Sequence, residues 1–218
     1  MARKTKEELL LQYHEMSAHE NELHGQGFLY IAGIDEAGRG PLAGPVVAGA
    51  VILPPEADLV LPGVNDSKKL THLQRARLFA EIQEKALAWA AGIVDVETID
   101  RINILEATKL AMQQAVKKLD PVPQILLIDA LRLPQLNLPQ RPIIKGDALS
   151  VSIAAASIVA KETRDAMMTA LDAVYPEYGF ASNKGYGSAK HIEAIRQYGP
   201  SPVHRRTFIR HFTEDRDE

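Results

Sequence analysis

The chain alternates between apolar runs of strand length and longer segments with a helical hydrophobic period. Residues 5–23 place Leu9, Tyr13 and Met16 on one face, with a Thr5/Glu8 capping pair before them and Gly25 and Gly27 after; this predicts an amphipathic helix. Two apolar runs follow, 28–35 and 46–53, the second closed by Pro54-Pro55. Their short link predicts an antiparallel pair. Thr71 and Gln74 open another amphipathic helix, expected to run to about Ala91 and stop at Gly92, with Leu78, Ile82, Ala86 and Trp89 on one face. A short strand is predicted over 92–96. Asn103 with Glu106 starts a helix that Asp120-Pro121 ends. Residues 125–129 are an unbroken apolar run of the kind found in central parallel strands. A shorter strand is predicted at 142–147, an alanine-rich helix over 150–174, and short helices or irregular chain from 176 to 202. This order predicts an α/β core with a C-terminal helical extension.

Composition narrows the chemistry. The 218 residues are 46% hydrophobic and 24% charged, as in ordinary globular chains. No apolar stretch is long enough to span a membrane, and the first residues lack the apolar core of a secretory signal, so a cytoplasmic protein is expected. There is no cysteine, which excludes disulfides and thiolate metal sites and leaves carboxylates or histidines as ligands. The net charge of −3 argues against a histone-like binder but leaves room for a local basic groove.

The acids stand where strands end. Asp35 and Glu36 close the first apolar run, just before Gly38-Arg39-Gly40-Pro41; Asp129 closes the run at 125–129; Asp147 follows the run at 142–145. Strand ends line the ligand crevice of open α/β sheets. Singly, such acids serve most often as turn or helix caps. Together they would repel one another unless divalent cations, Mg²⁺ or Mn²⁺, lay among them. Asp165, amid opposite charges in a helix, reads as a solvated face or ion pair. His191, His204 and His211 lack metal-ligand spacing and read as surface or phosphate-side residues. Gly38-Arg39-Gly40 offers bare N–H groups for close approach to a phosphate or sugar. The dinucleotide fingerprint fails there, because prolines and a strand-like run follow in place of a helix. Ser67-Lys68-Lys69 precedes a helix and suits phosphate contact. Residues 183–212 are basic, with Lys184, Lys190, Arg196, Arg205, Arg206 and Arg210, and Tyr186 sits between two glycines, either exposed for stacking or buried in a turn.

Taken in order, Gly33–Pro41, Asn65–Leu70, Leu127–Asp129, Lys145–Asp147, Ala155–Lys161, Tyr175–Phe180, Lys184–Tyr186 and His204–Phe208 resemble the type 2 ribonucleases H, specifically bacterial ribonuclease HII. The resemblance spans about residues 28–210. It implies a ribonuclease H-like mixed β-sheet flanked by helices, with an N-terminal helical appendage (1–27), a catalytic core (28–175) and a basic C-terminal helical subdomain (176–218). It implies hydrolysis of RNA in RNA–DNA hybrids and incision 5′ to single ribonucleotides in duplex DNA, by two-metal in-line attack of water leaving 5′-phosphate and 3′-hydroxyl ends. Asp35, Glu36, Asp129 and Asp147 match the family's metal-binding, catalytic acids. Gly38, Arg39, Gly40, Asn65, Ser67, Lys68, Lys145, Lys184 and Tyr186 match its substrate contacts, Tyr186 at the RNA-to-DNA junction. A monomer is expected. Ala130 departs from the pattern, standing where the family has glycine, with little effect expected. Other readings are a catalytically silent nucleic-acid-binding module of this fold, which the four acids count against, and a sugar- or nucleotide-phosphate enzyme, which the basic stretch and Tyr186 disfavour.

Overall fold

Strand β1 (Ile31–Ala37) lies at the centre of the sheet and pairs antiparallel with β2 (Val46–Ile52), from Ala32↔Ile52 to Ala37↔Val47. In the computed structural model, which describes residues 5–55 and 59–213, the ends of the expected terminal units, 1–4 and 214–218, lie outside the described residues. β3 (Ala88–Val94) pairs antiparallel with β2. β4 (Ile125–Asp129) runs parallel to β1, and β5 (Gln140–Ile143) parallel to β4. The order β3-β2-β1-β4-β5 makes the expected mixed sheet.

Helix α1 (Lys6–Met16) begins at the Thr5/Glu8 capping box, as the sequence predicts. It ends at Ser17, and α2 (Ala18–Gly25) continues from there, so the expected single helix is two. The buried Ser17 hydroxyl donates to the Tyr13 carbonyl at 2.9 Å, which competes with the regular helical ladder. Helix α3 (His72–Lys85) also starts at its predicted capping box but stops six residues early. Ala88–Ala91, expected to be helical, belong to β3. Each residue of β3 pairs with β2, and this sheet partnership overrides the local helical period. The short helix α4 (Val96–Ile102), capped by Asp95, escaped the sequence reading; α5 (Ile104–Lys117) follows it, with the Asn103 side chain accepting from the amides of Leu105 and Glu106.

The sheet is covered on both faces. α5 closes one, burying Ala107, Ala111, Met112 and Ala115 against Ala48, Ala50 and Ile128. Helix α6 (Val151–Val174) crosses the other with a run of small residues, Ala154, Ala155 and Ala156. Its backbone lies so near β1 that a Cβ on Gly33 would fall 2.0 Å from the Ser152 carbonyl carbon, so only glycine fits there. The N-terminal helices pack on this face as well: Tyr13 and Met16 join the α3–α6 core, and Leu23 packs with Ile31 and Ile153. Beyond α6 come α7 (Phe180–Asn183), α8 (Ala189–Tyr198) and α9 (Arg206–Thr213), with a small core of their own around Tyr178, Phe180, Ile195 and Ile209.

Candidate active site

Parallel pairing of β1 with β4 brings Ile34 opposite Ile128, so the next residues, Asp35 and Asp129, follow on neighbouring strands, Asp35 still paired with Gly49 of β2 and Asp129 with Ile143 of β5. β1 continues in strand form through Glu36 and Ala37, and its bend comes at Gly38, whose φ is +94°. Asp147 arrives from the turn Gly146–Ala148 that follows β5. The Gly146 amide donates to Asp129 Oδ1 at 2.7 Å, tying that turn to the end of β4. Ala130, beside it, holds a φ of +52°, where glycine would be free of the Cβ penalty; its amide donates to the Ile143 carbonyl at 3.1 Å.

The acids feel one another. Burial raises the Asp35 pKa well above its ordinary value, and the charges of Glu36, Asp129 and Asp147 push it the same way against the lowering bond from the Glu36 amide. Burial also raises Glu36, opposed by Arg39 at 3.3 Å, and raises Asp147, with Asp66 and Asp129 adding to it. Lys68 Nζ lies 3.7 Å from Asp147 Oδ2. Burial works against the Lys68 charge, but Asp35, Asp66, Asp147 and Glu36 outweigh it and raise its pKa. Among the described residues no three His, Cys, Asp or Glu side chains converge tightly enough to grip an ion as they stand. The fit to a hard cation rests on the donor set: carboxylate oxygens crowded enough to raise one another's pKa, the repulsion a divalent ion relieves.

Next to the acids opens a cleft of about 580 Å³. Glu36, Gly38, Arg39 and Gly40 line one side, Ser67 and Lys68 another, Lys184 and Tyr186 a third. Tyr186 is 48% exposed, which decides between its two readings in favour of an accessible ring. A Cβ on Gly40 would stand 3.8 Å from its Cε1. Asp35, Asp129 and Asp147 stand beside the cleft rather than in its lining, and two of the expected substrate contacts do not line it either. Asn65 turns its Oδ1 to the Asp66 amide at 2.8 Å, and Lys145, with φ of +59°, sits exposed in the turn before Asp147. The sequence reading missed Arg75, Lys161 and Arg164 on the cleft wall. It took Asp165 for a solvated face or an ion pair; the residue is buried, paired with Lys161 at 2.7 Å and Arg75 at 3.5 Å.

The basic C-terminal stretch divides in two. Lys190, Arg196, Arg206 and Arg210 are exposed, but Arg205 is fully buried and is no phosphate contact. Its guanidinium donates to the carbonyls of Arg39 at 2.9 Å, Gly38 at 2.6 Å, Gly44 at 2.9 Å and Pro45 at 3.2 Å. Arg164 takes Pro45, Ala43 and Lys184 in the same way. A trans peptide points its N–H opposite to its C=O. With the Gly38 and Arg39 carbonyls held inward, the N–H groups of Arg39 and Gly40 turn outward, and among the described residues neither has a partner within the chain. His191 and His204, read as surface or phosphate-side residues, are likewise buried and face each other; His211 alone of the three is exposed. Burial lowers both buried imidazoles, His204 to about 4. Nothing local in the sequence marks the arginine burials, because their main carbonyl partners lie more than a hundred positions away along the chain.

Residues 32–213 match the family model of ribonuclease HII. The chain belongs to the ribonuclease HII family. A ribonuclease HII of Acetivibrio thermocellus is 57% identical over 206 residues, covering 94% of this chain and 80% of that relative. One from Desulfitobacterium hafniense is 60% identical over 189 residues, covering 87% and 72%. Among solved structures, ribonuclease H2 from Pyrococcus horikoshii superposes with a TM-score of 0.71 at 30% identity, covering 87% of this chain and all of that one. A complex of PCNA with RNase HII from Archaeoglobus fulgidus gives 0.70 at 27% identity, covering 81% and 94%. The ribonuclease HII chain is therefore a ribonuclease H endonuclease, of a family that acts on RNA–DNA hybrids. Among its described residues no helix is long and apolar enough to cross a membrane.

Proposed function

We propose that this enzyme cuts the RNA strand of hybrids and incises duplex DNA 5′ to an isolated ribonucleotide, with Asp35, Glu36, Asp129 and Asp147 as the acids that hold Mg²⁺ or Mn²⁺. The observation that carries this reading is the juxtaposition of three acid-bearing segment ends with a cleft walled by outward N–H groups and an exposed tyrosine. When bound, divalent ions activate water and stabilise the leaving oxygen of a phosphodiester. The chain's own groups hold the substrate. The Arg39 and Gly40 amides donate to the ribose 2′-hydroxyl, the one group that separates RNA from DNA. The Tyr186 ring packs on the neighbouring sugar. Lys68, Ser67 and Lys184 meet phosphates, and Asn65 and Lys145 shape the turns that carry Lys68 and Asp147. In this reading 28–175 performs the chemistry, 176–218 adds substrate contacts through Lys184 and Tyr186, and 1–27 is an appendage whose Tyr13, Met16 and Leu23 pack on the core. One chain supplies every group named, so a monomer suffices, and the cytoplasm is where its substrate lies. The silent-module alternative is not favoured, since all four acids are present at one sheet edge.

The test is a labelled duplex carrying one ribonucleotide, incubated with Mg²⁺ or Mn²⁺ beside an all-DNA control. A single nick 5′ to the ribonucleotide, and none in the control, is expected; equal cutting of both would sink the reading. Charge gives a second expectation. Binding should weaken with salt, and Lys68→Ala or Lys184→Ala should each make the negative slope of log K against log[salt] shallower by about 0.9, one phosphate's worth. An unchanged slope in both variants would remove those lysines from the phosphate track.

A further inference from the structure

We infer that His191 and His204 form a fixed-tautomer relay that positions Tyr186 against the Gly38–Gly40 loop. The inference rests on the recognition role given to Tyr186 above and extends it to two residues that touch no substrate.

His191 Nδ1 lies 2.8 Å from the Tyr186 carbonyl oxygen, and its Nε2 lies 3.0 Å from Nε2 of His204. His204 Nδ1 in turn meets the Ser201 amide at 3.0 Å and the Ser201 hydroxyl at 2.8 Å. Proton positions follow from the two ends. A carbonyl can only accept, so His191 carries its proton on Nδ1 and presents a bare Nε2. An amide can only donate, so His204 Nδ1 is bare and its proton sits on Nε2. Both ends therefore demand the same arrangement: His204 Nε2–H donates to His191 Nε2, and no other neutral combination satisfies every atom.

Two imidazoles are a costly way to fill an apolar space. The pair is enclosed by Tyr178 and Phe180, with the His204 and Tyr178 ring centroids 4.8 Å apart and the His191 and Phe180 centroids 5.4 Å apart. Shape alone would be met by a phenylalanine or leucine. What an apolar side chain lacks is the directional bond to Tyr186. The other end of the relay reaches the glycine loop, because His204 is followed by Arg205, the residue that holds the Gly38 and Arg39 carbonyls. The Arg205 amide also donates to the Leu42 carbonyl at 2.8 Å, and the Leu42 amide to the Gly185 carbonyl at 2.8 Å, closing the circuit beside Tyr186. The relay thus fixes how the tyrosine ring stands beside the glycine loop, 3.8 Å from where a Cβ on Gly40 would lie, forming the joint surface against which the proposed function holds a ribose.

The experiment is a double-mutant cycle read by incision at a single embedded ribonucleotide, with thermal melting of every variant. His191→Phe keeps ring and volume but removes the bond to Tyr186, and should slow incision by roughly ten- to a hundredfold, the range for a misplaced binding group. His191→Asn, whose amide nitrogen replaces Nδ1, should recover most of that loss. In a Tyr186→Ala background His191→Phe should add less than about a twofold change, since a relay acting through Tyr186 has nothing left to position. Three results would overturn the relay: a normal rate for His191→Phe while Tyr186→Ala is slow, full additivity of the two, or no rescue by asparagine. A normal rate for well-folded Tyr186→Ala would instead overturn the recognition role itself, and the relay with it. Should His191→Phe fail to fold, ¹⁵N spectra of the wild-type imidazoles decide: Nδ1–H at His191 with Nε2–H at His204 supports the relay, and any other tautomer pair overturns it.

Discussion

Asp35→Asn should lower the rate of incision by roughly a thousandfold or more, yet leave the protein melting at or above the wild-type temperature in the absence of metal. The two effects share one cause. Asp35 is almost fully buried, and burial together with Glu36, Asp129 and Asp147 raises its pKa. The charged form is therefore unfavourable in the fold, and the amide, nearly identical in shape, relieves it. Its Oδ1 can still accept from the Glu36 amide, now at 2.7 Å. Asp129→Asn should behave alike, because an amide oxygen can keep the bond from Gly146 that holds the following turn. Asp147→Asn should also be severe, and it frees Lys68 from its partner. Asp165→Asn should be milder than any of these, since Asp165 pairs with Lys161 and Arg75 on the cleft wall. Single-turnover cleavage alongside metal-free melting curves checks the set. Near-normal turnover by Asp129→Asn would break the site assignment, and a larger loss for Asp165→Asn than for Asp147→Asn would mean that the fourth acid is misplaced.

Much of this arrangement can be read from local pattern, and the parts that cannot share a reason. Capping pairs are contacts three residues apart, so the starts at Thr5, Thr71 and Asn103 stand where the sequence puts them. The acid-bearing strand ends are legible too, because an apolar run that stops at a carboxylate is a local signal; that Asp35 and Asp129 stand side by side follows only from the parallel pairing of β1 with β4. Ala88–Ala91 mislead for the opposite reason. Alanine and tryptophan there fit a helical face, and the pairing with β2 that makes them a strand is invisible in the segment itself. The buried cations are the clearest failure. Arg164 and Arg205 have carbonyl partners up to 167 positions away, so their charge reads as surface until the fold surrounds them. Family resemblance located the motif that holds Arg205 without revealing that the side chain points inward.

That inward arginine leads to the other large effect. Arg205→Ala should destabilise the protein by roughly 3–5 kcal/mol, the cost of two or three buried carbonyls left without a donor, and should cut incision about a hundredfold even where the variant remains folded. Burial and the neighbouring Arg164 guanidinium pull the Arg205 pKa down to about 9, still above neutrality, so it acts as a cation among carbonyl dipoles. Removing it takes the donor from the carbonyls of Gly38, Arg39 and Gly44, at a cost of about 1–3 kcal/mol for each that stays buried and unpaired, while Pro45 keeps its bond from Arg164. The peptide planes of the loop are then free to rotate, and the outward N–H groups of Arg39 and Gly40 lose their aim. Arg205→Lys should fall between wild type and alanine: it keeps the charge, but an ammonium cannot fork across four carbonyls. The loop cannot compensate by filling with side chains either, because a Cβ on Gly38 would stand 2.1 Å from Arg164 Nε. Urea melts and cleavage rates at a temperature where each variant is folded measure both losses, and a salt titration separates the role from that of the exposed cations. Arg205→Ala should leave the salt slope of substrate binding at its wild-type value. A slope lowered by one phosphate, with an unchanged melt, would return Arg205 to the phosphate track that its charge alone suggests.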